Sequence, residues 1–293
     1  MKRTLPVSAA LFILLGLFAS AQESRQDPFE ASLYLGYGKS PAGGRSTYRH
    51  EWSSLRYAHI AENDLLSLDS GAALCAAGFL SFYPVPHFGV QAGFGYFKAS
   101  LTGSSNFVFS PPPGSVSARS DRWAGEGELT AVPLCLNAVG RAGSAKYQAY
   151  ASGGIALFLN SFFAESSAGL GAAAGEKIDS FKVPVAIEDQ AWTALGLNFG
   201  GGFDFKLAKR LALSVEIRYF LCPARDFAWI WAAGVYDGLG KAISALNVSQ
   251  ETAQLAAQRT TSMTIRPSFF QISAGVKFFL PGVIKISTST KSD

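Results

Sequence analysis

Along this chain, apolar residues alternate with small or polar ones at a period of two, the signature of strands rather than helices. In Phe88-Gly-Val-Gln-Ala-Gly-Phe-Gly-Tyr96, one face carries Phe88, Val90, Ala92, Phe94 and Tyr96, and the other carries Gly89, Gln91, Gly93 and Gly95. Eight such stretches follow one another, at 29–38, 72–83, 88–100, 128–140, 147–160, 191–206, 211–221 and 265–280. Each is at least as long as the roughly 9–11 residues that a tilted strand needs to cross a bilayer. In the first, Leu33, Leu35 and Tyr37 oppose Glu30, Ser32 and Tyr34. In the sixth, Leu195, Leu197, Phe199, Phe203 and Phe205 oppose Asn198, Asp204 and Lys206. In the seventh, Leu211, Leu213, Val215, Ile217 and Tyr219 oppose Ser214, Glu216 and Arg218. A soluble sheet would turn its bulky face inward. A small membrane barrel turns that face to lipid and keeps small and polar residues for the narrow lumen.

The connections sharpen the picture. Three are short, at 84–87, 141–146 and 207–210, and they alternate strictly with four long ones, at 39–71, 101–127, 161–190 and 222–264. Short turns on one side and long loops on the other are the sidedness of an outer-membrane barrel, with the turns periplasmic. The expected fold is all-β: an eight-stranded antiparallel up-and-down transmembrane β-barrel spanning 22–280, with a periplasmic C-terminal tail at 281–293.

Composition narrows the function classes. Of 293 residues, 48% are hydrophobic and only 16% charged, with 30 Gly and 23 Phe. Charge is well below the roughly 25% of an ordinary soluble domain, and the apolar content excludes disorder. A net charge of +4 with no Lys/Arg stripe argues against nucleic acid as a partner. Lys2 and Arg3, the apolar run Leu11–Phe18 and the small-x-small site Ala19-Ser20-Ala21 predict a cleavable signal peptide over 1–21, hence export. Three cysteines, Cys75, Cys135 and Cys222, are an odd number and read as small hydrophobes packed in place.

Val132-Pro-Leu-Cys-Leu136, Tyr150-Ala-Ser-Gly-Gly-Ile155, the hairpin from Asn198 through Gly200-Gly-Gly202 to Tyr219, and the closing Ser273-Ala-Gly-Val-Lys-Phe-Phe279 carry a family likeness. In these the chain resembles the small eight-stranded outer-membrane barrels of the OmpA/OmpW/OmpX-like superfamily. The resemblance covers the mature chain and implies an architecture rather than an activity. It implies outer-membrane lipid and the barrel-assembly machinery as partners, and no cofactor. Family members usually end on an aromatic of the last strand, whereas here Leu280 to Asp293 follow Phe278 and Phe279.

Candidate functional residues fall in two groups. Glu30, Gln91, Asp204, Glu216, Arg218, Gln271 and Lys277 face the lumen by alternation. They read either as a gate or ion path, or as a salt-bridged network filling a space just wide enough for side chains; the second is preferred, because buried charges need pairing. The last loop holds Phe227-Ala-Trp-Ile-Trp-Ala-Ala-Gly-Val-Tyr236, in which Trp229, Trp231 and Tyr236 form a candidate hydrophobic surface, followed by a stretch of helical composition at 243–258. This loop extends the wall, anchors at the lipid interface, or covers a small hydrophobic ligand. For catalysis, His50, His59, Asp69 and Ser70 are the candidates, but no Gly-x-Ser-x-Gly or metal-ligand spacing accompanies them. The expected function is non-enzymatic: membrane integrity, surface interaction or passage of small apolar molecules. A narrow porin-like channel is the alternative, and a lipid A-modifying enzyme the third. The face assignment further predicts that Leu197→Arg is costly and Asn198→Ala cheap.

Overall fold

The computed structural model describes residues 28–40, 44–53, 58–110, 119–144, 146–174, 177–228, 230–231 and 262–280. The expected signal peptide, Trp229, Tyr236, the stretch 243–258 and the tail 281–293 lie outside the described residues. The strands are β1 (Phe29–Lys39), β2 (Gly44–Ser53), β3 (Ala58–Ser70), β4 (Ala72–Val85), β5 (Phe88–Ser110), β6 (Arg119–Gly143) and β7 (Tyr147–Ala174). They continue as β8 (Lys177–Ala208), β9 (Leu211–Leu221), β10 (Arg225–Ala228), β11 (Ile230–Trp231), β12 (Ser262–Ile265) and β13 (Phe269–Leu280).

Eight of these close a ring of antiparallel neighbours: β1, β4, β5, β6, β7, β8, β9 and β13, with β13 returning to β1. The seam is continuous, from Phe29 opposite Leu280 to Lys39 opposite Phe270. The expected eight-stranded up-and-down barrel is thus the observed one. Its short turns are built locally. At the end of β6, Gly143 sits at φ +144°, where a side chain would also meet the Gln148 backbone at 2.8 Å. Beside it, the Ser144 hydroxyl accepts from the Tyr147 amide at 3.2 Å.

Three of the four expected long loops are corrected by the structure. Segments 101–127 and 161–190 are largely continuations of β5/β6 and β7/β8 as tall hairpins. Segment 39–71 is largely the hairpin β2–β3, with β3 paired to the upper part of β5. The reason is backbone chemistry: a hairpin that leaves the ring still pairs its N–H and C=O groups with its own returning strand, so the ladder continues without a membrane or a core to require it. The eighth crossing strand begins at Phe269 rather than 265, and Ile265 belongs to the separate two-stranded sheet β10–β12. His50 and His59 therefore lie on β2 and β3, and Asp69 and Ser70 pair with Thr102 and Leu101 of β5.

The wall is inside-out relative to a soluble protein. Leu35 and Phe203 are each 73% exposed and Leu74 is 69% exposed, while Glu216 and Arg218 are 0% exposed. Each large apolar side chain left in water forgoes roughly 1.5–3 kcal/mol of transfer free energy. The exposed belt that also includes Leu33, Phe88, Phe94, Leu136, Ile155, Leu195, Phe199, Ile217 and Ile272 is stable only against hydrocarbon. Among the described residues, no helix is long and apolar enough to cross a membrane.

Candidate functional site

The interior has two storeys. The lower one, toward the short turns, is ionic. Arg141 on β6 pairs with Glu30 on β1, donates from Nε to the Pro86 carbonyl at 2.9 Å, and stacks its guanidinium 3.5 Å from the Tyr83 ring centroid. Lys277 on β13 lies 2.6 Å from Asp204 and 3.5 Å from Glu30, and Asp204 also accepts from Ser214 at 2.6 Å. Above this, Arg218 on β9 donates to Glu216 at 2.8 and 3.0 Å, to Asn198 at 2.7 Å, to Ser152 at 3.0 Å and to Gln91 at 3.3 Å. Its guanidinium lies 4.3 Å from the Phe79 ring centroid. The Asn137 amide joins Asn198 at 2.8 Å and Gln91 at 3.0 Å. Tyr34 and Tyr150 meet hydroxyl to hydroxyl at 2.9 Å, and Tyr150 donates to Glu216 at 2.9 Å.

These bonds cross the lumen rather than line it. Tyr34 on β1 and Tyr150 on β7 stand four strands apart around an eight-strand ring, on opposite walls, as do Arg218 on β9 and Gln91 on β5. Three carboxylates (Glu30, Asp204, Glu216) face three cations (Arg141, Arg218, Lys277), all buried, so the charges cancel. Two glycines of β8 make the space. A side chain at Gly200 would meet the Arg218 guanidinium carbon at 2.9 Å, and one at Gly202 would meet the Tyr150 hydroxyl at 2.7 Å.

The upper storey corrects the expectation of a small and polar lumen. Phe97 on β5 stacks on Phe269 of β13 with centroids 4.3 Å apart and planes 10° apart, although β4 and β1 separate the two strands. Phe269 stacks on Phe220 at 4.6 Å, and Phe220 meets Phe158 of β7 edge-on at 6.4 Å. All four are 0% exposed. Higher still, Phe227 of β10 packs on Phe162 at 5.2 Å and Trp192 at 5.0 Å, beside buried Met263 and Ile265 of β12. The sheet β10–β12 closes over the interior with apolar side chains, and Trp231 on β11 pairs with Val185 at the edge of β8.

Of the residues expected inside, Glu30, Gln91, Asp204, Glu216, Arg218 and Lys277 belong to one hydrogen-bonded and ion-paired system. Gln271 is equally buried, but its amide finds no hydrogen-bond partner among the described residues. Sequence reasoning missed Arg141, which it left in a turn; the signal available was an arginine at an inward position one residue past the strand's expected end. It also left Asn137, Asn198, Tyr34 and Tyr150 without a role. Cys75, Cys135 and Cys222 are buried free thiols. Among the described residues, no group of three His, Cys, Asp or Glu is arranged to hold a metal.

No family model matches the chain, and no curated protein matches it. Solved structures to which it is similar include the outer membrane protein OprG from Pseudomonas aeruginosa, with 12% identity over 87% of this chain and 98% of that one and a TM-score of 0.39. They also include the outer membrane protease OmpT from Escherichia coli, with 9% identity over 89% and 99% and a TM-score of 0.43. The outer membrane protein AlkL shows 11% identity over 97% and 99%, with a TM-score of 0.36. The fold is carried by the chain's own closed strand pairing.

Proposed function

We propose that this protein is a closed, non-conducting barrel of the outer membrane, with a non-enzymatic role as a membrane-embedded scaffold for a tall extracellular wall. The supporting observation is that the interior is spanned twice, by a charge-neutral hydrogen-bonded layer and by an aromatic stack above it. An ion entering this lumen would meet fully buried phenylalanines with no polar group to replace its hydration, a steep electrostatic barrier. The short turns then face the periplasm, and the hairpins β2–β3, β5/β6 and β7/β8 rise on the outside, available for surface interaction. Export by a cleavable signal peptide and insertion by the barrel-assembly machinery accompany this reading. Planar-bilayer recording of the refolded mature chain tests it: no discrete openings are expected. Steady single-channel conductance would replace it with the narrow-channel reading.

A second reading is favoured by one observation. The upper interior around Phe162, Trp192, Phe227, Met263 and Ile265 is apolar and is covered by a two-stranded sheet paired to neither wall. Such an apolar interior would accommodate a small apolar molecule far better than an ion. Titration with a fluorescent apolar probe in detergent, comparing the native chain with Phe227→Ala, tests it; a binding curve indifferent to that change would remove this reading.

A further inference from the structure

The membrane reading leaves one charged surface unexplained. The β7–β8 pairing sets Tyr147 opposite Phe205, and so brings the turn before β7 alongside the turn between β8 and β9. Lys206 donates its amide to the Lys146 carbonyl at 3.0 Å, and the Phe279 amide donates to the Arg210 carbonyl at 3.1 Å, which fixes both turns against the rim. Lys146, Lys209 and Arg210 are exposed there. The Lys146 amine lies 5.7 Å from the Tyr147 ring centroid and 5.5 Å from that of Phe205. Both rings point outward from the apolar belt, so this cation is held at the belt's lower edge, at headgroup depth.

Among the described residues, no exposed carboxylate at this end neutralises the cluster. The carboxylates at this end, Glu30 and Asp204, are buried and taken up by Arg141 and Lys277. Lys206 is occupied differently, with its amine 4.4 Å from the ring centroid of buried Phe279. The opposite end is mixed in sign, with Glu126, Glu165, Glu188 and Asp189 exposed alongside Lys39, Lys98 and Arg225.

We propose that Lys146, Lys209 and Arg210 form a binding surface for anionic phospholipid headgroups of the leaflet on the short-turn side. This rests on the membrane-barrel reading. The phosphodiester is the complementary group: it lies at the depth of the Lys146 amine, and its acyl chains continue along Tyr147, Phe205 and Leu207, all exposed on the belt.

The test uses the mature chain refolded into phosphatidylcholine vesicles carrying a trace of spin-labelled phosphatidylglycerol or spin-labelled phosphatidylcholine. The motionally restricted fraction of each label measures its preference for the protein surface. Three cations at a headgroup surface should favour the phosphatidylglycerol label by about three- to tenfold at low salt. That preference should collapse toward parity at about 0.5 M salt, where screening shortens to roughly 4 Å. The triple variant K146Q/K209Q/R210Q should bring it near parity at low salt, while K39Q/K98Q, at the other edge of the belt, should leave it intact. Equal restriction of the two labels by the native chain, or a triple variant that keeps the full preference, overturns the proposal. So does equal restriction combined with sacculus binding that the triple variant loses, which would assign the cluster to the cell wall. Each sample is checked for a mobility shift on boiling. A native chain that shows none in vesicles sinks the barrel reading itself, a failure distinguishable from parity in a folded barrel.

Discussion

Arg218→Met is the most informative single perturbation of the interior. The guanidinium is fully buried and satisfies Glu216, Asn198, Ser152 and Gln91 at once. Methionine fills much of the volume and supplies no donor. Glu216, also 0% exposed, would keep one side-chain donor, the Tyr150 hydroxyl at 2.9 Å. Removing one partner of a buried ion pair typically costs 3–5 kcal/mol, about two to four orders of magnitude in the folding equilibrium, because the surviving charge has no solvent to turn to. The double variant Arg218→Met/Glu216→Gln removes that charge and should recover about 2 kcal/mol. It should not recover everything, since the Asn198 side-chain oxygen loses its Arg218 donor, at about 1–3 kcal/mol when left unpaired, while that of Gln91 keeps only Asn137. The assay is reversible urea unfolding from lipid vesicles, followed in both directions by tryptophan fluorescence. A cost below about 1 kcal/mol for Arg218→Met would mean that water reaches Glu216. The dry, closed lumen, and the non-conducting reading with it, would then be refuted.

The remaining predictions concern the wall, the stack and the glycines. Leu197→Arg and Ile217→Arg, on the exposed belt, should each cost about 2–4 kcal/mol near the bilayer midplane, whereas Leu197→Phe/Leu213→Trp should leave the urea midpoint nearly unchanged. Asn198→Ala, cheap by face assignment alone, should instead cost about 1–3 kcal/mol, because Asn198 holds both Arg218 and Asn137. Phe220→Ala should lose about 3–5 kcal/mol in the same titration. It should still give no channel openings, since the Tyr34–Tyr150 and Arg218–Gln91 bridges cross beneath it. Gly202→Ala should cost about 1–3 kcal/mol, because a side chain there would meet the Val215 carbonyl oxygen of the neighbouring strand first and then the Tyr150 ring carbon at 2.9 Å; Tyr150→Phe in the same chain should therefore recover little of it.

The sequence by itself determined the strand faces, because side-chain direction in a strand depends only on parity: Leu197 outward and Asn198 inward follow from their neighbours without any knowledge of the fold. It also determined the order of crossings and their sidedness, since Pro84 to His87 and Leu207 to Arg210 are turn-forming and too short for anything else. Tertiary closure decided which inward residues meet. Tyr34 and Tyr150 are 116 residues apart and Arg218 and Gln91 are 127 apart, and no local pattern says that their strands face each other across the lumen. The same holds for Phe97, Phe158, Phe220 and Phe269: parity places them inward, but phenylalanine is common on both faces, and only the ring geometry turns four isolated aromatics into a stack. The height of the wall was equally illegible. Gly- and Ser-rich segments such as 101–110 and 165–174 carry no hydrophobic alternation to announce a strand, and become one because the returning chain of the hairpin lies alongside to complete their hydrogen bonds.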